Sequence, residues 1–254
     1  MTAKKSYLID MDGVLVNGKK AIPGAVEFIK RLIDGGHRYL ILTNNSRYTP
    51  VDLAHRLQLA KIKVDTAHVY NSALATAAFV QKHQPGGSAY VLGDTGLYQA
   101  LTDVGYTLTD YNPNYVILGE TKSYPYDKII KATRLIWSGT PFIATNPDPS
   151  GPDENGLVPA CGAVAALIEK ATGFAPYFVG KPNPFMMRAA LRYIGEHSEN
   201  AVMVGDRMDT DIRMGLESGL ETVLVLSGVT KPEMITNFPY RPSRVVNSVA
   251  DIEL

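Results

Sequence analysis

Four clusters of reactive side chains stand where apolar runs stop. Ser6-Tyr7-Leu8-Ile9 ends in Asp10-Met11-Asp12-Gly13, and Arg38-Tyr39-Leu40-Ile41-Leu42 ends in Thr43-Asn44-Asn45-Ser46. Tyr177-Phe178-Val179-Gly180 ends in Lys181-Pro182, and Ala201-Val202-Met203-Val204-Gly205 ends in Asp206, with Asp209 and Asp211 close behind. Carboxylates one residue apart repel unless a cation or a shared proton lies between them, so Asp10 and Asp12 point to a magnesium site or an acid/base pair. Asp206 and Asp10 are hard oxygen ligands of the kind magnesium takes together with a substrate phosphate. A hydroxyl at Thr43, the amides after it and the cation of Lys181 complement the oxygens of a phosphoryl group.

Each cluster also has a plain reading. Asp10-Met11-Asp12-Gly13 can be a polar turn, Lys181 a solvated loop charge, Thr43-Asn44-Asn45 a cap, and Asp209 or Asp211 the cap of the next helix. Together these readings require four coincidences at four strand ends. In an open parallel α/β sheet the ligand crevice lies outside the carboxyl ends of the strands, so four such ends can meet although they span the chain.

The elements that must position these groups can be read from periodicity. After Asn17-Gly18, Val26, Ile29 and Ile33 recur at helical spacing until Gly35-Gly36. Thr49-Pro50 opens a second helix through Leu59, Ala67-His68-Val69-Tyr70 reads as a strand, and 72–83 as a helix. Strand alternating with helix is the pattern of a parallel sheet with right-handed crossovers. Gln84-Pro85-Gly86-Gly87-Ser88 is the strongest boundary signal. Beyond it Ala89-Tyr90-Val91-Leu92, Tyr115-Val116-Ile117-Leu118 and Phe142-Ile143-Ala144-Thr145 form a second strand set with helices between them. The segment 146–156, with three prolines and two glycines, reads as a loop, and 161–172 as a helix. Later helices are expected at 184–194 and 212–218, with strands at 221–226 and 243–246. The expected organisation is a core domain in two parts, 1–84 and 177–254, around an inserted α/β domain at 85–176.

Composition narrows the function classes. Lys plus Arg and Asp plus Glu are both 25, so no overall field favours a nucleic acid polymer or an acidic membrane surface. Cys161 is the single cysteine, which excludes an internal disulfide framework and a cysteine-built zinc site; it reads as a small core residue. The five histidines are scattered and argue for no imidazole-centred mechanism. Gly151 and Gly156 have phosphate-loop spacing, but Leu157 and Val158 stand where Lys and Ser/Thr are required. With no signal-like or membrane-length apolar run, the expectation is a soluble cytoplasmic protein with no membrane partner.

Asp10-Met11-Asp12-Gly13-Val14, Leu42-Thr43-Asn44, Lys181-Pro182 and Gly205-Asp206 with Asp211 beyond it resemble the four ordered motifs of haloacid dehalogenase-type phosphatases. Ala144-Thr145-Asn146-Pro147-Asp148 and Pro159-Ala160-Cys161-Gly162-Ala163 resemble the cap of the NagD-type subfamily. One departure is Val14, where threonine is frequent. The resemblance implies a Rossmann-like parallel-sheet core with an inserted α/β cap, and magnesium-dependent hydrolysis of a small phosphorylated metabolite. Asp10 would be the nucleophile, Asp12 the general acid and base with its main-chain carbonyl on the metal, and Lys181 the neutralising cation. Thr43 and the Asn44 amide would hold phosphoryl oxygens; Asp206 would ligate magnesium, and Asp211 would orient the metal shell or Lys181.

Substrate choice would lie in the cap, whose closure would exclude water. Asn146 and Asp148 are candidates for binding a sugar hydroxyl or a base, and equally for local turn formation. Nucleoside monophosphates and sugar phosphates are the favoured esters. A homodimer is compatible with a large cap. Two alternatives stay open: a phosphotransferase or mutase using the same aspartyl-phosphate, and a phosphometabolite sensor without turnover, against which the complete set Asp10, Asp12, Lys181 and Asp206 counts. Dinucleotide binding is disfavoured, since no Gly-x-Gly-x-x-Gly comes after the first strand.

Overall fold

Residues 6–9 are all buried, and a strand buried on both faces can be satisfied only inside a sheet covered on both sides. The computed structural model, which describes residues 4–153 and 156–254, places them at the centre of one. In chain order the elements are β1 (Ser6–Ile9), β2 (Val16–Asn17), β3 (Lys20–Ala21), α1 (Ala25–Asp34), β4 (Tyr39–Thr43), α2 (Pro50–Leu59), β5 (Val69–Asn71) and α3 (Ser72–His83). They continue with β6 (Ser88–Leu92), α4 (Thr95–Asp103), β7 (Thr107–Leu108), β8 (Tyr115–Leu118), α5 (Tyr126–Trp137), β9 (Phe142–Ala144), β10 (Ser150–Asp153), β11 (Gly156–Pro159), α6 (Cys161–Thr172) and β12 (Tyr177–Phe178). The chain closes with α7 (Pro184–Ile194), β13 (Ala201–Gly205), a π-helical turn Met208–Ile212, α8 (Arg213–Glu217), β14 (Glu221–Val225) and β15 (Arg244–Val246). No helix among the described residues is long and apolar enough to cross a membrane.

Two compact units result. The first comprises residues up to Thr43, Pro50–Tyr70 and Lys181–Leu254; the second comprises Asn44–Thr49 and Asn71–Gly180. In the first, the sheet order is β15-β14-β13-β1-β4-β5, and β1 pairs in parallel with both β13 and β4. The register sets Ile9 beside Val204 and Ile41, so the ends of β1, β13 and β4 lie at the same edge. Helix α1 buries Ala25, Phe28, Ile29 and Leu32, starts after Gly24 in the left-handed region and stops at Gly35. Helix α7 has Asn183 as N-cap, accepting from the Phe185 amide, with Pro184 in its first turn.

The second unit has its own parallel sheet, ordered β12-β9-β8-β6-β7. Tyr90, Leu92, Val116, Leu118, Phe142 and Ala144 from its strands form one cluster with Ile129, Ala132 and Ile136 of α5 and Val164, Ala165 and Ile168 of α6. Cys161 belongs to that core, and burial pushes its thiol up to about 12, as expected of an inert residue.

Several expectations meet a different arrangement. Helix α3, expected in the first part of the core, falls in the second unit, capped by Asn71, whose side chain accepts from the Leu74 amide. Tyr177 and Phe178, expected to reopen the core, pair with Ile143 and Ala144 in the second unit's sheet instead. The expected loop 146–156 contains part of a hairpin: β10 pairs antiparallel with β11, Gly151 opposite Val158, while residues 154–155 lie outside the described residues. Prolines on this two-stranded ribbon are tolerated because each strand has an unpaired side. Residues 66–68 form a short 3-10 turn, so β5 begins at Val69.

Leu8 is fully buried at the middle of β1, between Met203 and Leu40. Leu8→Ala is expected to destabilise the first unit by about 3 kcal/mol, read as a lowered urea midpoint with unchanged slope.

Candidate active site

Because β1, β4 and β13 end at one edge, the residues just beyond them are brought together by backbone pairing alone. The Asp10 amide continues the ladder by donating to the Val204 carbonyl at 2.9 Å, which fixes the nucleophile candidate beside β13. Lys181, 3% exposed, donates from Nζ to Asp10 Oδ1 at 2.5 Å and to Asp211 Oδ1 at 2.7 Å. The peptide bond between Lys181 and Pro182 is cis. Thr43, also buried, ends β4.

The π-helical turn aims Asp211. Met208 and Ile212 anchor the turn in a cluster with Leu224, and the Tyr240 hydroxyl donates to the Met208 carbonyl at 3.1 Å. Between those anchors Asp211 is fully buried, with Oδ2 accepting from the Arg207 amide at 3.1 Å. Asp209, two residues earlier, turns outward and pairs with Arg207.

Asp206 is 1% exposed; its Oδ2 accepts from the Val229 amide at 2.6 Å, and its carbonyl accepts from the Thr230 amide at 3.1 Å. Its other oxygen, Oδ1, is buried with no hydrogen-bond partner. A buried carboxylate oxygen left bare is costly. Small residues make room for this carboxylate, since a Cβ at Gly13 or at Gly228 would overlap it. Gly13 also has φ +84°, a conformation that favours glycine.

One carboxylate oxygen from each of Asp10, Asp206 and Asp211 lies within 4.8 Å of the others, all three residues being buried. Three ionised carboxylates around one ammonium leave an excess of two negative charges. Burial first, and that excess second, explain the titration pattern. Burial alone would push Lys181 down, but the Asp10 and Asp211 carboxylates hold its pKa up, so it stays charged. Burial pushes Asp10 up further than Lys181 pulls it down, with Asp211 and Asp206 adding repulsion. Burial and then Asp211 push Asp206 up to about 6, against the Val229 amide and Lys181. A divalent cation would cancel the excess and supply the partner that Asp206 Oδ1 lacks, so the donor set fits such an ion.

Asp12 is placed differently. Its carboxylate is not one of the three that converge: its side chain is 40% exposed and pairs with Arg56, Nη2 to Oδ1 at 2.5 Å. Arg56 carried no signal in the sequence, being one basic residue on an amphipathic helix.

The remaining candidates lie in the second unit. The Asn44 carbonyl accepts from Ser72 Oγ at 2.5 Å and from Asn146 Nδ2 at 2.9 Å, while Asn44 Nδ2 donates to Asp148 Oδ2 at 2.9 Å. Asn146 is fully buried and also reaches Glu120 Oε1 at 3.3 Å; its Oδ1 accepts from the Asp148 amide at 3.1 Å. Of the two readings of Asn146, substrate contact and local turn formation, these bonds display the second: the buried side chain fixes the Asn44 backbone and the Asp148 turn. Ser46 and Thr145 extend the network, Ser46 Oγ accepting from the Glu120 amide and from Thr145 Oγ1, each at 2.9 Å. Ser72 and Glu120 were not singled out by sequence, since isolated polar residues near strand ends carry no distinguishing pattern.

With Asp206 pushed up to about 6, the folded metal-free protein holds a proton there that the unfolded chain has lost, so stability should fall as pH rises from about 4 to 6. This contribution, on the order of 3 kcal/mol, is expected as a difference in denaturation profile between the protein and Asp206→Asn. A saturating divalent cation should abolish the fall by holding the carboxylate ionised. Gly228→Ala, which must displace Asp206, should weaken cation binding at least about tenfold in a calorimetric titration.

A family profile described as "Haloacid dehalogenase-like hydrolase" matches residues 7–107, and a second HAD-hydrolase-like profile matches residues 178–252. The chain is 50% identical over 252 residues to a dihydroxyacetone phosphatase of Corynebacterium glutamicum (strain R), covering 99% of this chain and 92% of that protein. It is 46% identical over 250 residues to the ribonucleotide monophosphatase NagD of Escherichia coli (strain K12), covering 98% of each. The solved structure of NagD from the same organism superposes with a TM-score of 0.94, covering 99% of each chain. With three motif carboxylates gathered around Lys181 and relatives aligned from end to end, the chain belongs to the haloacid dehalogenase-like hydrolases, in their NagD-type branch.

Proposed function

We propose that the protein is a magnesium-dependent phosphatase that hydrolyses nucleoside monophosphates or sugar phosphates through an aspartyl-phosphate on Asp10, with the inserted α/β segment as its cap. The carrying observation is Lys181 held between Asp10 and Asp211, beside Asp206 with its unpartnered oxygen. A nucleophile touching a buried ammonium next to bare anionic ligands suits an anionic electrophile, and a structural ion pair would leave no oxygen unsatisfied. The relatives' names, a dihydroxyacetone phosphatase and a ribonucleotide monophosphatase, support the phosphomonoester class and the range of leaving groups.

In this reading an Asp10 oxygen attacks phosphorus as the bond to the leaving oxygen breaks, and Asp12 gives that oxygen its proton. Asp12, now a carboxylate, takes a proton from water; the resulting hydroxide attacks phosphorus and the bond to Asp10 breaks, releasing phosphate. Lys181 neutralises charge on Asp10 and on the phosphoryl group, and the Thr43 hydroxyl with the Asn44 amide holds phosphoryl oxygens. Asp10, Asp206, Asp211 and the Asp12 main-chain carbonyl would hold the metal, directly or through its waters. Magnesium, when bound, supplies positive charge for the phosphoryl oxygens as negative charge redistributes among them.

Phosphate release from a panel of phosphomonoesters should need magnesium, stop with chelator, and fall by at least about three orders of magnitude in Asp10→Asn. Asp12→Asn should lose about 10²-fold or more on alkyl esters and less on p-nitrophenyl phosphate, whose leaving group needs little protonation. Turnover near wild type in Asp10→Asn would overturn the reading. Appearance of a new ester when sugars are added would assign the acceptor as an alcohol instead of water.

A further inference from the structure

Arg56 makes an unusual set of contacts for one residue in the last turn of α2. Its guanidinium spans both Asp12 oxygens, Nη2 to Oδ1 at 2.5 Å and Nη1 to Oδ2 at 3.5 Å. From the same plane Nη2 and Nε donate to the Gly18 carbonyl at 2.9 and 3.3 Å. Gly18 is the turn between β2 and β3, the two-stranded hairpin that leaves the Asp10–Asp12 loop. Backbone bonds from Leu15 and Val16 to the Met11 carbonyl, and from Gly13 to the Val16 carbonyl, tie that hairpin to the loop. One cation therefore joins α2, the hairpin tip and the Asp12 carboxylate.

The guanidinium occupies Asp12 Oδ1 at 2.5 Å, so a leaving oxygen that is to reach this carboxyl group competes with Arg56 for it. For Asp12 to serve a leaving oxygen, a proton that the partly exposed carboxylate takes from solvent water must pass to that oxygen as its bond to phosphorus cleaves, and the Arg56 contact at Oδ1 opposes this. The geometry points to Arg56 as a positioning residue that latches Asp12 and the β2–β3 turn together in the resting enzyme, so that substrate must release the proton donor before chemistry. This inference rests on the reading of Asp12 as the acid and base. The pair is partly exposed, at 28% and 40% for the two side chains, which suits a latch. A partly exposed ion pair is weak enough to open on each turnover, unlike the buried Lys181 pairs.

The test is a double-mutant cycle with Arg56→Gln and Asp12→Asn, comparing kcat and KM for an alkyl phosphomonoester and for p-nitrophenyl phosphate. Arg56→Gln is expected to raise kcat about threefold on the alkyl ester, the scale of a partly exposed ion pair, with a smaller rise on p-nitrophenyl phosphate. The rise should vanish in the Asp12→Asn background. Arg56→Lys, which keeps the charge but not the two-pronged contact, should give a smaller rise and serves if the glutamine variant does not fold. An equal fall on both esters and in both backgrounds would make Arg56 structural, and a fall confined to the alkyl ester with Asp12 intact would make it a support of the working position. Either overturns the latch. Failure of the underlying reading is distinct: the wild type would then release no phosphate from either ester, or Asp12→Asn would keep its alkyl turnover.

Discussion

The structure of the first unit depends on one buried ammonium. Lys181 stands among three carboxylates at the ends of strands and in the turn after β13, and all four residues are buried. Removing one partner from a buried ion pair typically costs about 3–5 kcal/mol because the other charge is stranded. Lys181 therefore holds Asp10 and Asp211 together, and the negative excess left over suits the cluster to a divalent cation, which would offset the repulsion an anionic substrate meets there. Stability and chemistry draw on the same imbalance.

The backbone around the cluster is shaped to keep it. Parallel pairing of β1 with β13 and β4 sets three strand ends level, so register alone brings Asp10, Thr43 and Asp206 to one edge. Asp211 needs more, and obtains it from a π-helical turn pinned by Met208 and Ile212. The absence of side chains at Gly13 and Gly228 leaves the volume that the Asp206 carboxylate occupies. In the second unit a separate polar network treats Asn44 with comparable care: Ser72 and Asn146 both donate to its carbonyl, and Glu120 and Ser46 brace the neighbouring groups. A loop fixed from two sides holds its backbone amides in a constant direction.

Much of this was legible in the chain. Apolar runs of four or five residues cut off by Asp, Thr or Lys are local patterns, and the convergence of strand ends is a general property of parallel α/β sheets, so Asp10, Thr43, Lys181 and Asp206 were nameable from them, and Asp211 only through the resemblance of its motif to the family's. Less legible were features set by partners distant in sequence. Tyr177 and Phe178 look like any short strand, and only their pairing with β9 puts them in the second unit's sheet. Helix α3 precedes the Pro-Gly-Gly boundary yet belongs with the elements beyond it, because its packing partner is α4. Asn146 sits in a proline-rich stretch that reads as exposed, and its burial arises only because Asn44 and Glu120 close around it.

The amino-acid sequence by itself determined which functional groups are present, where each strand must stop and which sign of charge the site carries, since side-chain chemistry and periodicity are properties of neighbouring residues. Tertiary structure alone decided that Asp12 is held by Arg56 while Asp211 is held by Lys181. These pairings join residues 44 and 30 positions apart, and nothing local distinguishes one arginine, lysine or aspartate from another until sheet register and helix packing select which meet.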